Sequence, residues 1–274
     1  MRIVETRRWR VSTGENGRTT VCLTIPRTVF VFAKKSKSSY NSFMPKIIAT
    51  FELEKQLFSE GYAFVVGIDE AGRGPLAGPV VACACALKLS SDTGRDPDSY
   101  RGLYGALEDK KFNLIRDSKT LSEKQRESLF DFIQENFYVG VGICDHKTID
   151  RINILEASFL AMKKALTDLQ NKQKEIMKNK KSIILVDGNK IIPNLSVEQR
   201  AIVGGDKIVK SISAASIIAK VTRDRIMLEM HKKYPEYDFD KHKGYGTKRH
   251  FEALKKYGHC EIHRKSFAPV KDMI

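Results

Sequence analysis

The feature that most constrains this chain is an apolar run that breaks into two adjacent acids and then a glycine- and proline-rich turn. Residues 64–80 read Phe-Val-Val-Gly-Ile-Asp-Glu-Ala-Gly-Arg-Gly-Pro-Leu-Ala-Gly-Pro-Val. The first half reads as a buried strand, and the second half cannot continue one. A second apolar run over 80–89 follows, so the segment reads as two strands joined by a turn. Asp69 and Glu70 therefore stand at a strand end, where α/β sheets collect binding groups.

Two further apolar strands end in the same way. Ile183-Ile184-Leu185-Val186 runs into Asp187 and Gly188, and Ala201-Ile202-Val203 runs through Gly204-Gly205 into Asp206. One Asp before a glycine is ordinary turn chemistry. Three acid-tipped strands that converge would form an oxygen-rich site of the kind that hard ions such as Mg²⁺ or Mn²⁺ prefer. Two such ions supply the chemistry of phosphodiester hydrolysis, activating a water and stabilising the leaving oxygen. Strand geometry raises a difficulty, because consecutive residues point to opposite faces. Asp69 and Glu70 can share a site only if the chain bends at Glu70, which Ala71-Gly72 would permit. Asp117 and Asp224 are rival ligands. Asp224 lies on the helical stripe Ala214, Ile217, Val221, Asp224, Leu228 and reads equally as a buried acid paired with an Arg.

The rest of the chain reads as α/β. Helices are expected over 121–137, 152–173, 211–232 and 248–256, with Ser122 and Gln125 in capping-box spacing. Strands are expected over 138–144, 183–187 and 201–203. The stretch 138–144 alternates Val and Gly. Helix 152–173 carries the stripe Leu155, Phe159, Met162, Leu166. Together these predict a mixed sheet flanked by helices with a C-terminal helical region.

The charge points to a partner. Lys and Arg number 48 against 33 Asp and Glu, a net +15 in 274 residues, which favours a polyanion. Residues 1–43 hold nine Lys/Arg and two Glu, a net +7. This basic extension reads as a segment upstream of a start at Met44, with a nucleic-acid arm or a transit-like segment as alternatives. The five cysteines are odd in number and lack CxxC spacing, which argues against zinc or a disulfide framework. Cys83 and Cys85 would share one strand face. A reducing compartment, the cytoplasm, is expected, and no apolar run is long enough to span a membrane.

Several ordered motifs resemble the ribonuclease HII family, the bacterial type 2 ribonucleases H. They are GIDEAGRGPLAGPV at 67–80, DSKTLSEKQR at 117–126, IDRINILEAS at 149–158, VDGN at 186–189, SISAASIIAKVTRDRIM at 211–227, HKGYGT at 242–247 and HRKSFAPV at 263–270. The resemblance covers about residues 60–270. It implies a ribonuclease-H-like sheet over 44–274 and an endonuclease that hydrolyses the RNA strand of RNA–DNA hybrids. The same enzyme would nick DNA duplexes 5′ of embedded ribonucleotides, leaving a 3′-hydroxyl and a 5′-phosphate. Mn²⁺ or Mg²⁺ is the implied cofactor, and a monomer the expected state. Motif by motif, the resemblance makes Asp69, Glu70, Asp187 and Asp206 the catalytic, metal-binding acids. It makes Gly72, Arg73 and Gly74 the backbone reader of the 2′-hydroxyl, and Tyr245 the ring that stacks on the next sugar. One departure stands out: Gly204 occupies a place where the family often has Lys before Gly-Asp.

Lys119 is read as a phosphate contact. Ser213, Ser216, Lys220 and Arg223 share one helical face that could hold a phosphate backbone or pack closely on the sheet, with packing favoured. His242, His263, Arg264 and Lys265 form a polar C-terminal group. A catalytically silent nucleic-acid-binding protein and a different nuclease remain alternatives.

Overall fold

A computed structural model describes residues 48–89 and 110–274, all within one unit, Pro45–Ile274. The basic extension and Cys22 lie outside the described residues. Five strands form the sheet: β1 (Phe64–Ala71), β2 (Val80–Leu87), β3 (Phe137–Cys144), β4 (Ser182–Asp187) and β5 (Glu198–Ile202). Their order is β3-β2-β1-β4-β5. β1 pairs antiparallel with β2, and β2 with β3, whereas β4 runs parallel to both β1 and β5. The sheet is mixed because a tight turn can reverse the chain after β1, while β4 is reached through a helical crossover.

The described helices are α1 (Glu52–Ser59), α2 (Lys110–Leu114), α3 (Glu123–Asn136), α4 (His146–Ile152), α5 (Ile154–Lys172), α6 (Lys174–Met177), α7 (Gly205–Ile208), α8 (Lys210–Lys233), α9 (Phe239–His242) and α10 (Lys248–Tyr257). The capping box forms at α3, with Ser122 Oγ accepting from the Gln125 N–H and Gln125 reaching back to the Ser122 N–H. The helix expected over 152–173 begins later, because Asn153 turns left-handed between α4 and α5 and caps the latter. β5 lies earlier than expected: its partly exposed Glu198-Gln199-Arg200 lacks the apolar run that marks a buried strand. No helix among the described residues is long and apolar enough to cross a membrane.

Strand alternation divides the core into two layers. Val65, Cys83, Cys85, Ile183 and Leu185 pack with α3 and α8 on one face. Phe64, Val66, Ile68, Ala82, Ala84, Ile184 and Val186 pack with Phe159, Met162, Ala165 and Leu169 of α5 on the other. The Val/Gly alternation of β3 has a packing cause. A Cβ at Gly142 would lie 2.0 Å from the Ala161 carbonyl oxygen, and one at Gly140 would lie 2.2 Å from that of Ala165. Glycine therefore brings α5 into contact with the sheet backbone. A third cluster, including Leu76, Met227, Phe239, Leu254 and Ile262, fastens the C-terminal helical region to the turn after β1.

Candidate active site

The alternation that builds the core also sorts the acids. Asp69 follows Val65 by four residues on β1, and Asp187 follows Ile183 by four on β4, so both point to the α8 face. The register pairs Ile68 with Val186, which sets the two carboxylates side by side. Asp206 enters this face from α7. Its N–H donates to Asp187 Oδ1 at 3.3 Å, and its carbonyl accepts from Ser213 Oγ at 2.8 Å. The loop before it depends on glycine. Gly204 adopts φ +66°, and a Cβ at Gly205 would come within 2.5 Å of Ile212. One carboxylate oxygen each from Asp69, Asp187 and Asp206 lies within 4.8 Å of the others.

Glu70 does not join this group of three. Strand pairing continues through Glu70↔Ala82 and Ala71↔Val81, so the bend expected at Glu70 does not break the strand. Its side chain lies on the α5 face. There it lines a cavity of about 150 Å³ with Arg73, Phe159, Met162, Asp187 and Asn189. Arg73 Nη1 donates to Glu70 Oε1 at 3.3 Å. Asp187 thus stands between the three-acid cluster and Glu70.

The electrostatics follow from burial. Burial, then the Glu70 and Asp187 carboxylates, pushes the Asp69 carboxyl well above its ordinary range. Burial also raises Glu70, against the opposing pull of Arg73. Burial and the neighbouring Asp206 raise Asp187. In all three carboxylates burial and mutual repulsion outweigh the pull of the nearby Arg73 and Lys119. The donors are oxygen alone, crowded and largely desolvated, and that set fits a hard divalent cation. Lys119 supplies a partial counter-charge: its Nζ donates to Asp206 Oδ2 at 3.2 Å from an exposed stem. It thereby places a cation beside Asp206.

The rival acids are structural. Asp117 Oδ1 accepts from the Lys119 N–H and caps the turn that carries that lysine. Asp224 is buried, accepts from Lys220 at 2.6 Å and lies 3.8 Å from Arg126. The row on α8 is also occupied internally. Ser216 Oγ lies 2.9 Å from Ser118 Oγ, and Arg223 is fully buried against backbone carbonyls. Ser213 and Ser216 are buried, as close packing of this helix on the sheet expects, while Lys220 is half-buried against Asp224.

Of the polar C-terminal group, His242 and His263 join a buried imidazole stack, Arg264 is buried and Lys265 is exposed. His242 and His250 lie with ring centroids 4.5 Å apart. The Cys260 N–H donates to His263 Nδ1, His263 Nε2 lies 3.0 Å from His250 Nε2, and His250 Nδ1 lies 2.9 Å from the Tyr245 carbonyl. His263 therefore donates to His250, which donates to Tyr245, and both rings are neutral. Sequence reading passed over His250, because its helical position shows no sign of its partners. Tyr245 itself is 42% exposed, and a Cβ at Gly74 would lie 3.7 Å from its ring. The 72–74 loop and this ring form one surface beside the acids.

Known proteins resemble this chain in sequence and fold. A family model described as ribonuclease HII matches residues 106–270. A ribonuclease HII of Caldicellulosiruptor bescii is 50% identical over 218 residues, 79% of this chain and 92% of that protein. One from Endomicrobium trichonymphae is 46% identical over 225 residues, 82% of this chain and 94% of that protein. The crystal structure of ribonuclease H2 from Pyrococcus horikoshii superposes with a TM-score of 0.54 at 27% identity, covering 77% of this chain and 96% of that one. With a family model matched over more than half of its residues and relatives about half identical over most of its length, the chain belongs to the ribonuclease HII family.

Proposed function

We propose that this protein is a metal-dependent endoribonuclease that hydrolyses the RNA strand of RNA–DNA hybrids and nicks DNA duplexes 5′ of embedded ribonucleotides. The products are a 3′-hydroxyl and a 5′-phosphate, and the cofactor is Mg²⁺ or Mn²⁺. The observation that carries the reading is a three-carboxylate cluster, two of its acids buried and one half-buried, lying next to a glycine loop and an exposed tyrosine. Divalent ions, when bound, supply water activation and stabilisation of the leaving oxygen. Asp69, Asp187 and Asp206 would hold them, with Glu70 completing the site across Asp187. Lys119 faces the substrate phosphates, exchanging its contact with Asp206 for one with the strand. The backbone of Gly72, Arg73 and Gly74 approaches the ribose closely enough to bond its 2′-hydroxyl, the group that separates RNA from DNA. Tyr245 lays its ring on the sugar that follows. Residues 44–274 form the catalytic unit, which acts as a monomer in the cytoplasm, and 1–43 is an extension whose presence a mass measurement on the native protein decides.

The test is cleavage of a DNA duplex bearing one ribonucleotide, with Mg²⁺, Mn²⁺ or EDTA, and mapping of the cut. A metal-dependent nick 5′ of the ribonucleotide is expected, and Asp69→Asn should abolish it while retaining duplex binding. Binding without any cut would instead make the protein a silent binder. Cuts in an all-DNA duplex would make it a different nuclease.

A further inference from the structure

Two fully buried arginines lie beneath the glycine loop, and both are satisfied by carbonyl oxygens. Arg264 donates from Nη2 to Gly72 O at 2.6 Å and from Nη1 to Arg73 O at 2.9 Å. It also donates from Nε to Gly78 O at 3.0 Å and from Nη2 to Pro79 O at 3.3 Å. Arg223 donates from Nε to Pro79 O at 2.9 Å, from Nη2 to Ala77 O at 3.1 Å and from Nη1 to Lys243 O at 2.9 Å. Burying a guanidinium costs stability unless its donors are filled. Here one fork spans both ends of the 72–79 loop, and the other ties that loop to the residue two before Tyr245.

The peptide plane turns this clamp into a selectivity device. In a trans peptide the carbonyl and the following N–H point in opposite directions. Drawing the Gly72 and Arg73 carbonyls inward to Arg264 turns the N–H groups of Arg73 and Gly74 outward, and both residues are exposed. The same clamp fixes the tyrosine. The Leu76 N–H donates to Gly244 O at 2.8 Å, and the Arg223 guanidinium carbon lies 5.8 Å from the Tyr245 ring centroid. Gly72 is glycine for the same reason: its φ is +101°, and a Cβ there would sit 2.2 Å from Arg223 Nε.

We propose that Arg264, with Arg223 beside it, is a positioning residue that sets selectivity for a ribonucleotide joined to DNA. It does so by holding the outward N–H groups of the glycine loop at a fixed separation from the Tyr245 ring. This rests on the functional reading above. A lysine at 264 would keep the charge but present a point donor that cannot span four carbonyls.

The experiment measures duplex binding in an Asp69→Asn parent by fluorescence anisotropy with Mn²⁺ present. The two duplexes are identical except that one carries a single ribonucleotide. Adding Arg264→Lys should cut the preference for the ribonucleotide duplex by about tenfold, the scale of one well-aligned hydrogen bond, while all-DNA affinity stays within about twofold. In the otherwise native enzyme, kcat/KM on a single ribonucleotide should fall relative to a full hybrid by a similar factor. A hybrid offers a 2′-hydroxyl at every register and is less sensitive to the separation. Asp150→Ala is the milder variant. Asp150 accepts from the Lys265 and Ser266 N–H groups and from Ser266 Oγ, so its loss should loosen the clamp from outside and lower the preference by a smaller factor. Unchanged preference in a folded Arg264→Lys, or parallel loss on both duplexes, overturns the proposal. If Arg264→Lys does not fold, unchanged preference in Asp150→Ala overturns it. A parent with no preference at all refutes the functional reading instead, so the two failures are distinguishable.

Discussion

Asp187→Asn should make the metal-free protein more stable while removing its response to metal. Asp187 stands within 4.8 Å of both Asp69 and Asp206, oxygen to oxygen. At an effective dielectric of about 20, two like charges at that separation repel by about 3 kcal/mol. The ceiling is about 4 kcal/mol, because stronger repulsion would be escaped by protonating an ordinary Asp at pH 7. Asparagine keeps the Oδ1 that accepts from the Asp206 N–H and removes the charge. Its new NH₂ faces carboxylate acceptors, so the substitution leaves few groups unsatisfied. After an allowance for solvent screening, the net gain is about 2 kcal/mol. For a domain of this size that corresponds to about 4–8 °C in Tm. The assay is thermal unfolding in EDTA and then in Mn²⁺. The native protein should gain stability on adding Mn²⁺, because the ion binds the folded state, and Asp187→Asn should respond little or not at all. A Tm in EDTA that falls in the variant, or an undiminished response to Mn²⁺, would refute the reasoning.

Three further outcomes follow from the geometry. Tyr245→Ala should lower nicking at a single ribonucleotide by about tenfold, the low end of a lost aromatic contact, whereas Tyr245→Phe should retain it. Equal loss in both variants would mean that the hydroxyl, rather than the ring face, does the work. Gly142→Ala should destabilise the fold by about 3 kcal/mol in urea titration, since its Cβ would press on α5 backbone atoms that cannot swing aside. Burial lowers His250 to about 4, and burial together with His250 lowers His263 to about 3. The unfolded chain binds protons near pH 6.5 that the folded rings refuse. Their contribution is therefore complete above pH 6.5 and is lost as the pH falls toward 4 and then 3. Imidazole NMR resonances should stay in the neutral position down to pH 5, and titration near 6.5 would contradict the neutral stack.

Local chemistry was legible where one segment carries its own reason. Ser122 and Gln125 cap α3 because both partners lie within four residues. Cys83 and Cys85 share a face because strand period demands it. The Val/Gly alternation of β3 announces a strand, yet only α5 lying against it explains why the small residue must be glycine. The row Ser213, Ser216, Lys220, Arg223 shows the limit. Spacing places these residues on one face, but periodicity cannot tell a phosphate from a neighbouring carbonyl as the partner. The same holds for Arg264, whose carbonyl partners come from a segment remote in the chain, and for the His250–His263 pair, whose rings meet from a helix and the turn after it without any periodic spacing.

The sequence by itself determined that acids stand at the ends of two strands and just past a third, and that consecutive acids on a regular β1 must face opposite ways, the latter because side chains alternate along a strand. Only the tertiary structure decided how that conflict resolves. The strand runs on unbroken, Asp69 joins Asp187 and Asp206 on the α8 face, and Glu70 is left on the α5 face with Arg73. Register between β1 and β4 and the approach of α7 bring these acids together. Those are set by packing over the whole core, which no single segment encodes.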